Sequence, residues 1–139
     1  MDKKDFDKFN EGVVEEFRAN GGHVGGMFKD FPMILVHNKG AKSGQLRISP
    51  LVYTKDGDNF VIIASKGGDP KHPDWYHNLV ANPETTIEVG TDTVKVKAEL
   101  TENPERKRLF DAQAAVMPNF KEYEAKAERE IPVFLLKPG

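Results

Sequence analysis

Asp56-Gly57 stands between Leu51-Val52-Tyr53-Thr54 and Phe60-Val61-Ile62-Ile63-Ala64, and this arrangement restricts the fold more than any other stretch of the chain. Asp-Gly supplies the backbone freedom a two-residue turn needs, so the β-prone runs on either side must fold back as an antiparallel hairpin. The same grammar recurs along the chain. Residues 33–37 are apolar and extended, a glycine-bearing loop covers 38–44, and residues 47–54 resume the strand pattern. Residues 85–89 and 93–100 alternate apolar with polar side chains around Gly90, and residues 131–136 form a last apolar run.

Helical spacing appears between these runs. Phe6, Phe9, Val13 and Phe17 recur at steps of three and four, which predicts an amphipathic opening helix before Asn20, Gly21, Gly22, Gly25 and Gly26 break it. Residues 1–24 are therefore expected to be a helix and a glycine-rich linker, within one domain spanning 1–139. Asn82-Pro83 ends a short helix over 74–81. A helix over 101–117, with Pro104 near its start, stops at Pro118, and a second piece covers 121–130. The order excludes βαβ alternation and gives a mainly β (α+β) fold: about six antiparallel strands with helical cover, most economically closed into a small barrel that leaves no exposed edges.

Composition narrows the chemistry. Lys+Arg 20 against Asp+Glu 22 gives a formal charge of −2, which disfavours a protein held mainly by nucleic-acid phosphates. The chain has no cysteine, so disulfides, thiolate metal sites and cysteine nucleophiles are out. The N-terminus carries charge where a signal peptide would be apolar, and no run approaches the roughly 20 apolar residues of a membrane span. A cytoplasmic protein is the expectation, with membrane contact through the opening helix left open.

Two loops concentrate polar chemistry. Lys39-Gly40-Ala41-Lys42-Ser43-Gly44-Gln45-Leu46-Arg47 places cations, a hydroxyl and glycines between two strands, either as a solvated turn or as a cradle for a phosphate. The glycine spacing is not that of a Walker loop, and no helix follows. Ser65-Lys66-Gly67-Gly68-Asp69-Pro70-Lys71-His72-Pro73-Asp74-Trp75-Tyr76-His77 follows the third strand and could meet the first loop at one rim. There Trp75 would be either an aromatic wall or a core plug. His72 and His77 share no helix face and have no third ligand nearby, so no metal is expected. Neither Ser43 nor Ser65 sits in a nucleophile elbow. Met117, Phe120 and Tyr123, at steps of three, line one side of a turn or short helix, as a core stripe or a pocket wall.

Four pieces in order resemble the deazaflavin (F420)-dependent nitroreductase family of split β-barrel oxidoreductases: Gly40-Ala41-Lys42-Ser43-Gly44-Gln45-Leu46-Arg47 with Pro50-Leu51; Ala64-Ser65-Lys66-Gly67-Gly68; His72-Pro73-Asp74-Trp75-Tyr76-His77-Asn78-Leu79 with Ala81-Asn82-Pro83; and Glu130-Ile131-Pro132-Val133. The resemblance covers residues 25–137. It implies that Lys42, Ser43, Gly44, Gln45 and Arg47 hold the phosphate and acidic tail of coenzyme F420. It further implies that Pro50, Ile63, Ala64, Ser65, Lys66 and Trp75 border the deazaflavin, with Ser65 and Tyr123 as hydrogen-bond and proton donors. Val52, Met117, Phe120 and Tyr123 become the substrate pocket for a small acceptor, whether a nitro compound, a quinone or an enone.

Two departures qualify the resemblance. Ala41 stands where the family often has arginine, a loss that Lys39 can offset. Val52, Met117 and Phe120 replace tyrosines of the members that reduce nitroimidazole prodrugs, so strong prodrug activation is not expected. The alternatives are an FMN-dependent split-barrel oxidoreductase and a non-catalytic F420 carrier, either acting as a monomer or weak homodimer without nucleic acid.

Overall fold

A computed structural model describes residues 3–26, 31–65, 72–127 and 129–138, and within the first helix the side chains from residue 8 onward. Among the described residues four helices and seven strands follow in the order α1 (Lys3–Ala19), β1 (Met33–Lys39), β2 (Leu46–Val52), β3 (Thr54–Asp56), β4 (Asn59–Ile63), α2 (Asp74–Ala81), β5 (Glu84–Val89), β6 (Asp92–Leu100), α3 (Glu105–Val116), α4 (Asn119–Ala127) and β7 (Val133–Pro138). The strands make one antiparallel sheet in the order β2-β1-β5-β6-β7-β4-β3.

The outermost strands of that sheet, β2 and β3, are neighbours in sequence with only Tyr53 between them. Two Cα steps of about 3.8 Å cannot bridge a flat seven-stranded sheet, so the sheet must curl until its edges nearly meet. The result is a split barrel. The sequence pattern over 47–54 predicts a single strand; the structure divides it because Val52 still pairs with Met33 while Thr54 already pairs with Val61. At the break, the Tyr53 N–H donates to Pro32 O at 3.2 Å. Seven strands rather than six follow from this split.

Burial follows the period of two. Ile34, Val36, Phe60, Ile62, Phe134 and Leu136 point into the barrel with Trp75 and Leu79 of α2. The intervening Val61, Ile63, Val133 and Leu135 face outward and are covered by Leu109, Phe110, Ala114, Met117 and Phe120 of the α3–α4 segment. Met33 and Leu35 are covered by Val13 and Phe17 of α1. β1, β4 and β7 therefore read as nearly continuous apolar runs because both their faces are buried. Each fully buried leucine, isoleucine or phenylalanine contributes roughly 1.5–3 kcal/mol through removal from water.

Helix boundaries move slightly from the sequence pattern. α3 begins at Glu105 rather than 101, because the Thr101 N–H donates to Val133 O at 3.0 Å and extends the sheet past β6. α4 runs from Asn119 to Ala127 rather than over 121–130. α1 buries Val13 and Phe17, but Phe9 is 41% exposed, so the apolar face narrows toward its N-terminal half; the Phe6 side chain is outside the described residues. Arg18 fastens α1 to the sheet, donating from Nε and Nη2 to Glu88 at 3.0 and 2.7 Å, and His37 Nε2 meets the same carboxylate at 2.7 Å.

Candidate active site

The basic loop, residues 40–45, is closed by its own hydrogen bonds. The Gly40 N–H donates to Gln45 O at 2.8 Å, the Gly44 N–H to Gly40 O at 2.9 Å, and the Gln45 N–H to Ser43 Oγ at 3.2 Å. Glycine is required at position 44, where φ is +71°, a region L-residues avoid, whereas a Cβ on Gly40 would meet the Ser43 hydroxyl and displace it. Lys42, Ser43, Gln45 and Arg47 are exposed. Among the described residues neither Lys42 nor Arg47 has an ion-pair partner, and the Lys42 and Ser43 N–H groups donate to nothing. Uncommitted cations, amide donors and a hydroxyl on one tight loop have the donor chemistry of a phosphate site. At its base lies a groove of about 540 Å³, bordered by Lys39, Leu46, Asn82, Glu84, Thr85 and Lys97.

The second set of sequence-predicted residues lies where β4 ends. Ala64 faces the barrel interior, Ile63 faces the α3–α4 layer, and Ser65 is 7% exposed. Arg129 Nη2 donates to Ala64 O at 3.1 Å and to Ser65 O at 3.3 Å, fixing this turn. Trp75 packs inside the barrel against Phe134, ring centroids 5.9 Å apart, with 8% of its surface exposed. The structure therefore places Trp75 as a plug of the core, and the half-exposed rings at this rim are Tyr76 and His72, stacked at 4.2 Å. Burial, reinforced by the positive charge of Arg129 and by His77, pushes the His72 imidazole below its usual range and keeps it neutral at pH 7. Lys66 lies outside the described residues.

The third set does gather. Ile63, Met117 and Phe120 belong to one buried cluster, with Val52 and Tyr123 packed against it half-buried. Phe120 and Tyr123 meet edge to face at 5.5 Å. Asn119 Nδ2 donates to the Tyr123 hydroxyl oxygen at 3.0 Å. The phenolic oxygen is thus an acceptor in this contact, and its own proton is left to donate elsewhere.

β2 links the polar and apolar sets. It carries Arg47 at one end, Pro50 in the middle and Val52 at the other, a rise of roughly 17 Å over five residues. As an edge strand it tolerates Pro50, which has no N–H to give. The three do not share a face: Ile48 and Val52 pack toward α1, whereas Leu51 packs toward the barrel interior, and alternation puts Pro50 with the first pair and Arg47 with the second.

Sequence reading missed the residues that hold these parts in place. Arg129 is one. Asn78 and Asn38, both buried, are two more: Asn78 Oδ1 accepts from the Ala41 N–H at 2.9 Å, and its Nδ2 donates to Asn38 Oδ1 at 2.8 Å. One signal was present. Asn78 occupies the same helical face as Trp75 and Leu79, so it is a polar residue on a core-facing stripe, which demands a partner.

Taken together, a curled split barrel carries an anion-ready loop at one end of its edge strand and an apolar, aromatic cluster at the other, the donor set and packing that a phosphate-bearing ring cofactor needs. The F420H(2)-dependent quinone reductase family model matches residues 11–138, and the chain belongs to that family. An F420H(2)-dependent quinone reductase of Mycobacterium tuberculosis (strain ATCC 25618 / H37Rv) is 39% identical over 124 residues, covering 86% of this chain and 83% of its own. A solved F420-H2-dependent reductase superposes with a TM-score of 0.71 at 37% identity over 76% of this chain and 94% of its own. A second solved chain, described as a domain-swapped dimer, gives 0.72 at 33% identity over 98% and 100%. Family membership makes the cofactor F420, in place of the FMN alternative, and the donor set of residues 40–47 fits its phosphate.

Proposed function

We propose that the chain reduces a quinone with F420H2, the cofactor's phosphate lying on residues 40–47 and its ring beyond the β4 end, toward the Tyr123 wall. The observation that carries this reading is the loop itself: two exposed cations and two uncommitted N–H groups at the head of the edge strand that leads to Val52. When bound, the reduced deazaflavin supplies a hydride.

The chain's own residues do the remainder. Lys42 and Arg47 neutralise the phosphate, and the Ser43 hydroxyl and the amides of Lys42 and Ser43 orient it. Gly44 and Gln45 shape the turn that presents these donors. Pro50 and Ser65 border the ring, with Ile63, Ala64 and Trp75 backing it from inside the core, and the expected contact of Lys66 falls outside the described residues. Ser65 donates a hydrogen bond to the acceptor oxygen. Tyr123, its oxygen already occupied by Asn119, is oriented to deliver the proton that accompanies the hydride. Met117 and Phe120, almost fully buried, lie behind the half-buried Val52 and Tyr123 and back an apolar wall in which Tyr123 keeps the hydroxyl. Such a wall suits a quinone or enone ring and gives a nitro group little to bind.

The chain works as a monomer or weak homodimer, the second supported by the relative solved as a domain-swapped dimer. Among the described residues no helix is long and apolar enough to cross a membrane.

Oxidation of reduced F420 by purified protein, with menadione, cyclohexenone and a nitroimidazole as acceptors, tests the proposal. Turnover is expected with menadione first, then cyclohexenone, and least with the nitroimidazole. Tight F420 binding without turnover of any acceptor would favour a carrier instead.

A further inference from the structure

The loop's anchor is a relay of two buried carboxamides. Asn78, one helical turn before the end of α2, is 6% exposed, and Asn38, two residues before the loop, is 1% exposed. From the loop inward, the Ala41 N–H donates to Asn78 Oδ1 at 2.9 Å, and Asn78 Nδ2 donates to Asn38 Oδ1 at 2.8 Å. Asn38 Nδ2 then donates to Val36 O and Ser49 Oγ, each at 3.1 Å. The ends of this relay fix its polarity. Ala41 offers only a donor and Val36 only an acceptor, so each amide has one orientation that satisfies both neighbours, and reversing either would set like poles face to face.

Asn82 adds a weaker tie, donating from Nδ2 to Lys39 O at 3.4 Å. Among the described residues no other hydrogen bond joins α2 to the loop itself; the bonds at Gly40, Gly44 and Gln45 are internal to it. The loop can therefore keep its own curl and still be aimed wrongly, and Asn78 decides the aim. The amide after Ala41, that of Lys42, is the first of the two uncommitted donors, so the constraint acts one peptide away from the anion site.

We infer that Asn78, held by Asn38, is a positioning residue that sets the basic loop of the F420 site, so that α2 controls affinity for the phosphate-bearing half of the cofactor without touching it. The inference rests on the reading of residues 40–47 as the phosphate site. A buried amide that merely filled the core would affect both halves of the cofactor alike.

The test compares F420 with its deazaflavin riboside, which lacks the phosphate and acidic tail, by fluorescence titration of wild-type protein and of Asn78→Ala and Asn38→Ala. Hydrogen exchange at the Ala41 amide is followed by NMR in the same samples. The expected result is F420 affinity about tenfold lower in Asn78→Ala and less reduced in Asn38→Ala, riboside affinity within about twofold of wild type, and Ala41 exchange faster by about tenfold or more. Riboside binding reports that the variants are folded. Should Asn78→Ala not fold, Asn78→Gln displaces the same groups by one methylene and is read in the same way. Equal loss of both ligands, or unchanged F420 affinity, would overturn the inference. Wild-type protein that binds the riboside as tightly as F420 would overturn the phosphate reading, and the relay's cofactor role with it; Ala41 exchange would still show whether Asn78 holds the loop.

Discussion

Residues 40–47 and the α3–α4 wall lie toward opposite ends of β2, and they hold their shapes by different means. At the loop, Lys42, Ser43, Gln45 and Arg47 are exposed, and the backbone is held by hydrogen bonds. At the wall, Met117 and Phe120 are 3% and 4% exposed and are held by packing against Ile63, Val133 and Leu135. A charged ligand needs donors that are fixed yet reachable, which packing cannot supply. A planar apolar ring needs shape, which hydrogen bonds alone do not give. On the proposed reading the loop gives affinity and the wall gives turnover, and substitutions should separate in the same way.

The largest effect is expected where packing is densest. Phe120→Ala should cost about 3–5 kcal/mol of stability, read from denaturant unfolding, while the protein that remains folded keeps most of its F420 affinity. Tyr123→Phe removes one oxygen from a half-buried site. It should leave F420 binding unchanged and lower the menadione turnover rate roughly ten- to a hundredfold in steady-state assays. Comparable losses of binding in either variant would break the division between the halves. Lys42→Ala and Arg47→Ala should each weaken F420 binding about tenfold, with a shallower dependence on salt and no change in stability beyond about 0.5 kcal/mol.

The smallest effect concerns neither half and serves as a control. The guanidinium of Arg18, then His37, holds the Glu88 carboxyl below its ordinary range against the opposing cost of burial. A carboxyl whose folded pKa is depressed stabilises fully above its unfolded value, near 4.5, and that contribution is lost as pH falls through the folded value. Arg18 is about half exposed, so the anchor is worth no more than about 1 kcal/mol. Unfolding at pH 7 and pH 3.5 should show Glu88→Gln losing less stability on acidification than the wild type, with the ratio of F420 to riboside affinity at pH 7 unchanged.

Much of this architecture was legible in the sequence, for physical reasons that differ by element. The Asp56-Gly57 hairpin, the strand after Gly90 and the helix ended by Asn82-Pro83 announce themselves because turn chemistry is local. The break at Tyr53 was not legible, since it reflects two different partner strands, Met33 and Val61 standing on either side of it. Trp75 could be a wall or a plug on paper; the inward face of α2 decides for the plug. Of the site, the cations of residues 39–47 were visible from composition, and Val52, Met117, Phe120 and Tyr123 do fall in one cluster. Asn38, Asn78 and Arg129 went unseen because their importance lies in partners 37 or more residues away, which no spacing rule reports.

The most direct measurement of the central claim is a titration of the wild-type protein with F420, its riboside and FMN at low and high salt. The account predicts that F420 binds tightest, that its affinity falls as salt rises, and that the riboside binds more weakly with little salt dependence. Equal, salt-insensitive binding of F420 and riboside, or tighter binding of FMN, would contradict it.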